Sequence, residues 1–197
     1  KGYKVGVEFE EKKLEFDPYI VGLWLGDGTS ANTEITNQDS TILKYLVNNV
    51  GKYKCYISGG GNMHYNIRGN GEKGGNQFLN FLRTSNLLNN KHIPKDFKIN
   101  SRENRLKLLA GLIDSDGYYD KQGNGYEITQ KNTTLAEDIV FLCKSLGFKV
   151  TITKCAKGCW VNEEYKEGIY NRIGINGEGL EEIPVLCPRK KAKESKQ

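Results

Sequence analysis

The chain has 197 residues, enough for one sizeable domain or two fused halves of about 100. Its formal net charge of +5 is a mild basic bias that admits a nucleic-acid partner. No apolar run is long enough to span a membrane and no signal-peptide pattern is present, so membrane classes are excluded and the expected compartment is intracellular, cytoplasm or nucleus.

Taken in order, Tyr3, Val5, Val7 and Phe9 alternate, which predicts a short half-buried strand. Glu10 to Leu14 is a charged connection. Asp17 then stands as an N-cap and Pro18 as the first residue of a helix that runs to about Gly26. Thr33 to Thr36 reads as a strand. Asp39 is placed to cap a helix with Ile42, Leu43, Leu46, Val47 and Val50 on one face. Tyr53 to Ser58 and Met63 to Arg68 read as strands joined by a turn at Gly59-Gly60-Gly61-Asn62. The glycines from Gly59 to Gly75 are not a phosphate loop, because no Gly-Lys-Ser/Thr ends them. Phe78, Leu79, Phe81 and Leu82 mark a further helix, and Lys91 to Phe97 is a connection around Pro94.

Ser101 can cap the next helix, which leads into Arg105 to Gly117, RLKLLAGLIDSDG. This stretch is apolar through Leu108, Leu109, Ala110, Leu112 and Ile113, and is closed by Asp114, Ser115, Asp116 and Gly117. Gly117 is predicted to be the left-handed residue that ends the helix. Acids at that end oppose the partial negative charge of the last carbonyls, and such a cluster of oxygens suits a bound cation. Tyr118 to Lys131 reads as a hairpin turning at Gln122-Gly123-Asn124-Gly125. Thr133 or Thr134 starts a helix through Leu135, Ile139, Leu142 and Leu146. Phe148 to Lys154 and Ile169 to Ile175 read as strands separated by a loop from about Ala156 to Gly168. Arg189 to Lys196 holds five basic residues and one acid, so +4 of the net +5 lies there. The start at Lys1 rather than Met reads as a fragment of a longer protein.

Five cysteines, Cys55, Cys143, Cys155, Cys159 and Cys187, form no tight framework, and reduced thiols are expected. Cys155 and Cys159 have the spacing of half a zinc site, but neither a second pair nor His64 and His92 stands at ligand spacing.

The chain repeats itself. Asp17-PYIVGLWLGDG-Gly28 precedes the LAGLIDSDG stretch by 89 positions, Asp27 falling where Asp116 falls and Gly22 where Gly111 falls. Glu34-Ile-Thr-Asn37 is echoed by Glu127-Ile-Thr-Gln130, an amphipathic helix follows in each half, and His92-Ile93-Pro94 is echoed by Glu182-Ile183-Pro184. Pseudo-two-fold symmetry is therefore expected. Gly22 and Gly111 remove the side chains that would hold the two helices apart, so their acidic ends would meet. Two carboxylates brought together need a metal or a shared proton. Each half reads as a small sheet with helices on one face. Thr36, Tyr56, His64, Asn66, Arg68, Tyr126, Thr129, Lys131, Tyr170 and Arg172 are expected on the other. A two-stranded ribbon from such a surface fits the major groove of a duplex.

LAGLIDSDG and its partner GLWLGDG resemble the two motifs of a single-chain LAGLIDADG homing endonuclease, and the form DPYIVGLWLGDG is most similar to endonuclease domains carried inside inteins. The resemblance spans about residues 1 to 192. It implies an α+β fold: a pseudo-two-fold tandem of two αββαββα halves, with motif helices packed at the interface and sheets forming a DNA-binding saddle. The implied half-domains are 1–100 and 101–197, the second ending in the basic tail. The implied activity is site-specific cleavage of both strands of a long, asymmetric double-stranded DNA target by a monomer. The implied cofactor is Mg2+, with Mn2+ able to substitute.

Within that resemblance, Asp27 and Asp116 are the metal-binding catalytic acids, with the backbone carbonyls of Gly26 and Ser115 as further ligands. Asp114 matches an acidic motif position, but Leu25 replaces it in the first half, so it is read as supporting. Lys91 matches the first active-site lysine, and Lys190, with Lys191 beside it, is chosen for the second, although Glu181 stands where Lys91 maps in the repeat. Arg68 and Arg172 are candidate base or phosphate readers. Lys131, Lys149, Arg189 and Lys191 are the other expected DNA contacts. No N-terminal nucleophile and no C-terminal His-Asn is present, so protein splicing is not expected.

The sequence admits three other readings. Asp114 to Gly117 lacks the third acid and the final Glu of an EF-hand loop. A glycosidase could use Asp27 and Asp116 as paired carboxylates, but nothing else suggests a sugar cleft. The third is a catalytically silent DNA-binding module or an RNA maturase on the same fold.

Overall fold

The computed structural model describes residues 5–71, 75–161 and 164–194. Tyr3, Ser195 and Lys196, on which parts of the reading above fall, lie outside them, as does the side chain of Cys159.

Two helices form the spine. Helix α1 (Pro18–Asp27) starts because the Asp17 carboxylate accepts from the Tyr19 amide at 2.9 Å and Pro18 presets the first turn. Helix α5 (Arg102–Asp116) is capped by Ser101, whose hydroxyl accepts from the Asn104 amide. Pro18 to Leu25 are all buried, and so are Leu108 to Asp114, which is why both motifs are apolar on every face. The helices cross at the two glycines. A Cβ on Gly22 would drive into the Leu108 carbonyl oxygen, and one on Gly111 would lie 2.7 Å from the Leu23 nitrogen.

Around this crossing the plan runs twice. The first half holds β1 (Glu34–Thr36), α2 (Ser40–Val50), β2 (Cys55–Gly59), β3 (His64–Gly69) and α3 (Gln77–Thr84). A short α4 (Lys95–Lys98) follows Pro94 inside the segment read as a plain connection. The second half holds β4 (Gly117–Asp120), β5 (Gly125–Gln130), α6 (Thr133–Ser145), β6 (Lys149–Val161) and β7 (Glu164–Asn176). The sheets are antiparallel, in the orders β1-β3-β2 and β4-β5-β7-β6. The core is continuous: Ile42 and Leu46 of α2, Phe78 and Phe81 of α3, and Leu135, Ile139 and Leu142 of α6 pack with the motif helices. No helix among the described residues is long and apolar enough to cross a membrane.

The α+β class and paired-helix interface are as the sequence implies; several details differ. The halves read αβαββαα, counting the short α4, and αββαββ, not αββαββα twice. Only six steps separate Gly28 from Glu34, against ten from Gly117 to Glu127, so the counterpart of β4 shrinks to a single bridge between Gly28 and Ile35. The chain closes in 3-10 turns at Leu180–Glu182 and Pro188–Lys190 rather than a last α-helix. Val5 and Val7 are exposed and lie in no strand: the segment is held by isolated contacts, Val7 N–H to the Ser145 carbonyl at the end of α6 and the Arg105 guanidinium of α5 to the Val7 carbonyl, with Phe9 part-buried against Arg105, and no partner strand pairs with it among the described residues. Gly117 is not left-handed but extended, φ −81°, as is Gly28, φ −76°. It is glycine for space, since a Cβ there would lie 2.6 Å from the Ile113 carbonyl oxygen. The supposed loop from Ala156 to Gly168 is instead the far part of a long ribbon, β6 and β7 pairing from Lys149↔Asn176 to Val161↔Glu164.

Candidate active site

The glycine crossing brings the two acidic ends together. A Cβ placed on Gly26 would lie 2.6 Å from the Ser115 Cβ and 3.4 Å from the Asp116 Cγ, so the end of α1 rests directly on the end of α5. Asp27 is part-buried, while Asp116 keeps an open surface on one side.

Each acid is held by an amide from its own half. Asn37 Nδ2 donates to Asp27 Oδ2 at 2.6 Å, and Gln130 Nε2 donates to Asp116 Oδ2. These partners were missed from sequence as site residues, yet they occupy matched positions in the repeat, EITN against EITQ.

Each helix end is also held by a lysine of its own half. Lys91 Nζ donates to the carbonyls of Leu25 (3.0 Å), Gly26 (3.2 Å) and Gly28 (2.6 Å), and sits 5.1 Å from the Trp24 ring centroid. Lys190 Nζ donates to the carbonyls of Ile113 (2.8 Å), Asp114 (2.9 Å) and Ser115 (3.3 Å). An ammonium has three donors, and both lysines use all three on the negative end of a helix. Lys190, buried, is thus the spatial counterpart of Lys91, whereas Lys191 and Glu181, the residue that the repeat aligns with Lys91, are both exposed.

The lysine-bearing segments are anchored across the halves. Asn132, the N-cap of α6, donates to the Lys91 carbonyl, and the Ile93 amide donates to Asp138 Oδ2 at 2.8 Å, beside the Lys98–Asp138 ion pair. The Cys187 thiol reaches Asp39 Oδ2, at the N-cap of α2. Asp114 completes this second anchor: buried, it accepts from the Leu186 amide (2.6 Å), the Cys187 amide (3.2 Å) and the Tyr19 hydroxyl (2.8 Å). It ties the chain that carries Lys190 to the crossing helices. Asp114→Asn turns an acceptor into a donor facing these donors, so unfolding free energy is expected to fall by about 2–3 kcal/mol in a denaturant titration.

Burial dominates the electrostatics. It pushes Asp27 up to about 6, with Asp116 adding to the rise and Asn37, Lys190 and Lys91 opposing it. Asp116 is raised by burial too, against Lys91, Gln130 and Lys190. Burial lowers Lys91 to about 8, against the upward pull of Asp116 and Asp27, and burial also lowers Lys190, against Asp114 and Asp27. Burial thus disfavours the charged form of both acids and of both lysines, while each acid and the lysines near it partly offset that cost. The oxygen-only donor set of Asp27, Asp116 and the Gly26 and Ser115 carbonyls fits a hard divalent cation such as Mg2+. The lysine contacts to Gly26 and Ser115 are the longest of each triplet, and a carbonyl oxygen has a second lone pair. Among the described residues no group of three or more His, Cys, Asp or Glu could by itself hold a metal ion.

The raised Asp27 has a stability consequence. A carboxyl whose folded value lies above its unfolded one contributes stability below about pH 4 that is lost as pH rises through about 6. In EDTA, Asp27→Asn and the unaltered protein should therefore melt alike near pH 4, and the variant should melt higher above pH 6.

Residues 92–197 match the family model described as homing endonuclease. The chain belongs to the homing endonuclease family. It is 30% identical over 164 residues to the homothallic switching endonuclease of Saccharomyces cerevisiae, covering 68% of this chain and 28% of that protein. It is 32% identical over 153 residues to the replicative DNA helicase DnaB of Mycobacterium intracellulare, covering 77% of this chain and 23% of that protein. A second helicase, the ATP-dependent DNA helicase Hel308 of Thermococcus kodakarensis, is 24% identical over 187 residues, covering 87% of this chain and 16% of that protein, so the chain spans less than a third of the length of each of these relatives. In fold it is similar to I-DmoI, solved in complex with DNA and Mn, with a TM-score of 0.52 and 16% identity over 82% of this chain and 89% of that one.

The residues expected of a homing endonuclease surface divide by register. In the first sheet Ile35, Ile57 and Ile67 face the helices, which leaves Thr36, Tyr56, His64, Asn66 and Arg68 on the open face, with Arg68 Nε on the Ser58 hydroxyl. In the second, Ile128, Ile173 and Ile175 face inward, and Thr129, Tyr170 and Arg172 outward, Arg172 paired with Glu127 at 3.3 Å. Tyr126 does not join them. It shares the inward parity of Ile128, is buried, and donates its hydroxyl to the Lys190 carbonyl. Lys131 is exposed just past β5, and Lys149 is exposed at the opposite end of the sheet, across from Asn176. Arg189 borders a cleft with Asp27, Asn37 and Ser115 at the seam between the halves.

Proposed function

We propose that the chain is a site-specific DNA endonuclease that cuts both strands by metal-dependent phosphodiester hydrolysis. The observation that carries this is the doubled centre: two acids at crossing helix ends, each with its own amide and lysine, below two sheets with polar open faces. Asp27 and Asp116, with the Gly26 and Ser115 carbonyls, would hold the Mg2+ ions. When bound, these supply Lewis-acid stabilisation of the leaving oxygen and an activated water. Asn37 and Gln130 orient the carboxylates. Lys91 and Lys190 hold the helix ends and place positive charge where the phosphate gains negative charge. Arg68, Lys131, Lys149, Arg172, Arg189 and Lys191 are assigned to the DNA. The halves 1–100 and 101–197 differ in sequence, so the target is asymmetric, and one chain supplies both centres, so a monomer suffices. I-DmoI is named in complexes with DNA and with Ca, Mn or Mg, which supports divalent-metal use here. The helicase relatives do not imply helicase activity. The match covers a minor part of each, and the chain has no Gly-Lys-Ser/Thr phosphate loop. A homing-endonuclease segment lodged in a longer chain, as in inteins, accounts for both.

The test is metal removal on a cleavable duplex. EDTA is expected to stop cutting while binding persists, and Mg2+ or Mn2+ to restore it, with 3′ overhangs on the products. Cutting that continues in EDTA would overturn the metal-dependent reading.

A further inference from the structure

The two acids do not face the same surroundings. The β2–β3 hairpin pairs over five rungs, Cys55↔Gly69 to Gly59↔Tyr65, whereas β6 and β7 pair over thirteen. Strand β5 flanks β7 only as far as Gln130↔Asn171. From Cys155↔Tyr170 outward the ribbon runs on with no third strand beside it among the described residues. Register alternation puts Lys157, Lys166 and Tyr170 on the same open face as Arg172 and Thr129. There they line a cavity together with Asp116. Lys157 Nζ is held at this cavity by the Thr129 hydroxyl at 3.0 Å. Lys166 has an exposed partner in Glu164 at 3.5 Å, a solvent-screened pair that a stronger anion displaces readily. The cleft at Asp27 is lined instead by Asn37, Gln38, Met63 and Arg189, without a ribbon.

We propose that the ribbon is a one-sided phosphate clamp: Lys157 and Lys166, with the hydroxyls of Thr129 and Tyr170, hold the DNA-backbone phosphate next to the bond attacked at Asp116. This rests on the endonuclease reading and adds to it. Two ammoniums facing one carboxylate across an open cavity attract an anion of spread negative charge, and a duplex running over the sheets presents a row of them. A base edge would instead need a planar or bidentate partner, which two lysines do not offer. Among the described residues, the cleft at Asp27 is lined by a single cation, Arg189, which the second half contributes, so the two strands are gripped unequally.

The experiment uses a cleavable duplex with each strand separately end-labelled, and measures both nicking rates and the salt dependence of binding. For K157A/K166A one strand is expected to be cut about tenfold more slowly and the other within about twofold of the unaltered protein. Nicked duplex should accumulate, and the slope of log K against log salt should fall by about two. R189A is expected to slow the opposite strand. K157R/K166R, which keeps the charge, should retain the salt slope, separating a lost phosphate contact from a damaged fold. Equal slowing of both strands, or an unchanged slope in K157A/K166A, overturns the clamp while leaving the endonuclease reading intact. An unaltered protein that binds no duplex overturns both, and does so before any variant is made.

Discussion

Asp27→Asn and Asp116→Asn are each expected to abolish double-strand cleavage, by about a thousandfold or more, while DNA affinity stays within about threefold. Asparagine keeps the shape of the side chain, and its carbonyl oxygen can still accept from Asn37 or Gln130. What disappears is the charge that binds a cation. Burial already disfavours that charge in the metal-free protein, so removing it relieves the fold rather than breaking it. Gel-shift and cleavage assays on one duplex separate the two effects. Binding lost in step with cleavage in both variants would mean that the acids hold the fold.

The second large effect concerns the crossing itself. Gly111→Ala is expected to lower the melting temperature by about 10 °C or more, from an overpacking cost above about 3 kcal/mol. The new methyl would collide with the Tyr19 carbonyl and press on the Leu23 nitrogen, both backbone atoms inside a buried helix that cannot swing aside. Gly22→Ala should behave alike, because its methyl meets the Leu108 carbonyl from the other side. Any protein that survives the change must splay α1 from α5 and so separate Asp27 from Asp116. Residual fold should therefore come with lost cleavage. A melting temperature within about 2 °C of the unaltered protein would show that the close approach is not needed.

The centre was legible in the sequence because it is repeated. Asp27, Asp116, Gly22 and Gly111 stand in two helices too apolar for a surface position, and the repeat aligns them. Asn37 and Gln130 were visible in the same alignment but carry no mark alone, since an amide at the end of a strand is an ordinary residue there. Lys190 was harder. The repeat points to Glu181, because the chain after Ile183 reaches the helix end by a path that Asp114 fixes and the first half lacks. Tyr126 was misplaced because aromatic residues suit either face of a sheet; only the parity of Ile128 decides. The ribbon was missed for a physical reason. Beyond Tyr170 it leaves the core, Trp160 and Tyr165 pack on each other with both exposed, and no buried face imposes alternation. The extended glycines Gly28 and Gly117 show the converse: the residue type was legible, and its cause was space rather than handedness.

The central claim is that this doubled centre cuts DNA at a chosen sequence. The most direct measurement is a Mg2+-dependent cleavage selection from a randomised duplex library, with Asp27→Asn as control. Discrete cuts with 3′ overhangs at one long asymmetric site, absent in the control, are the predicted result. Sequences enriched by binding but never cut would contradict it, and would make the chain a DNA-recognition module with a silent centre.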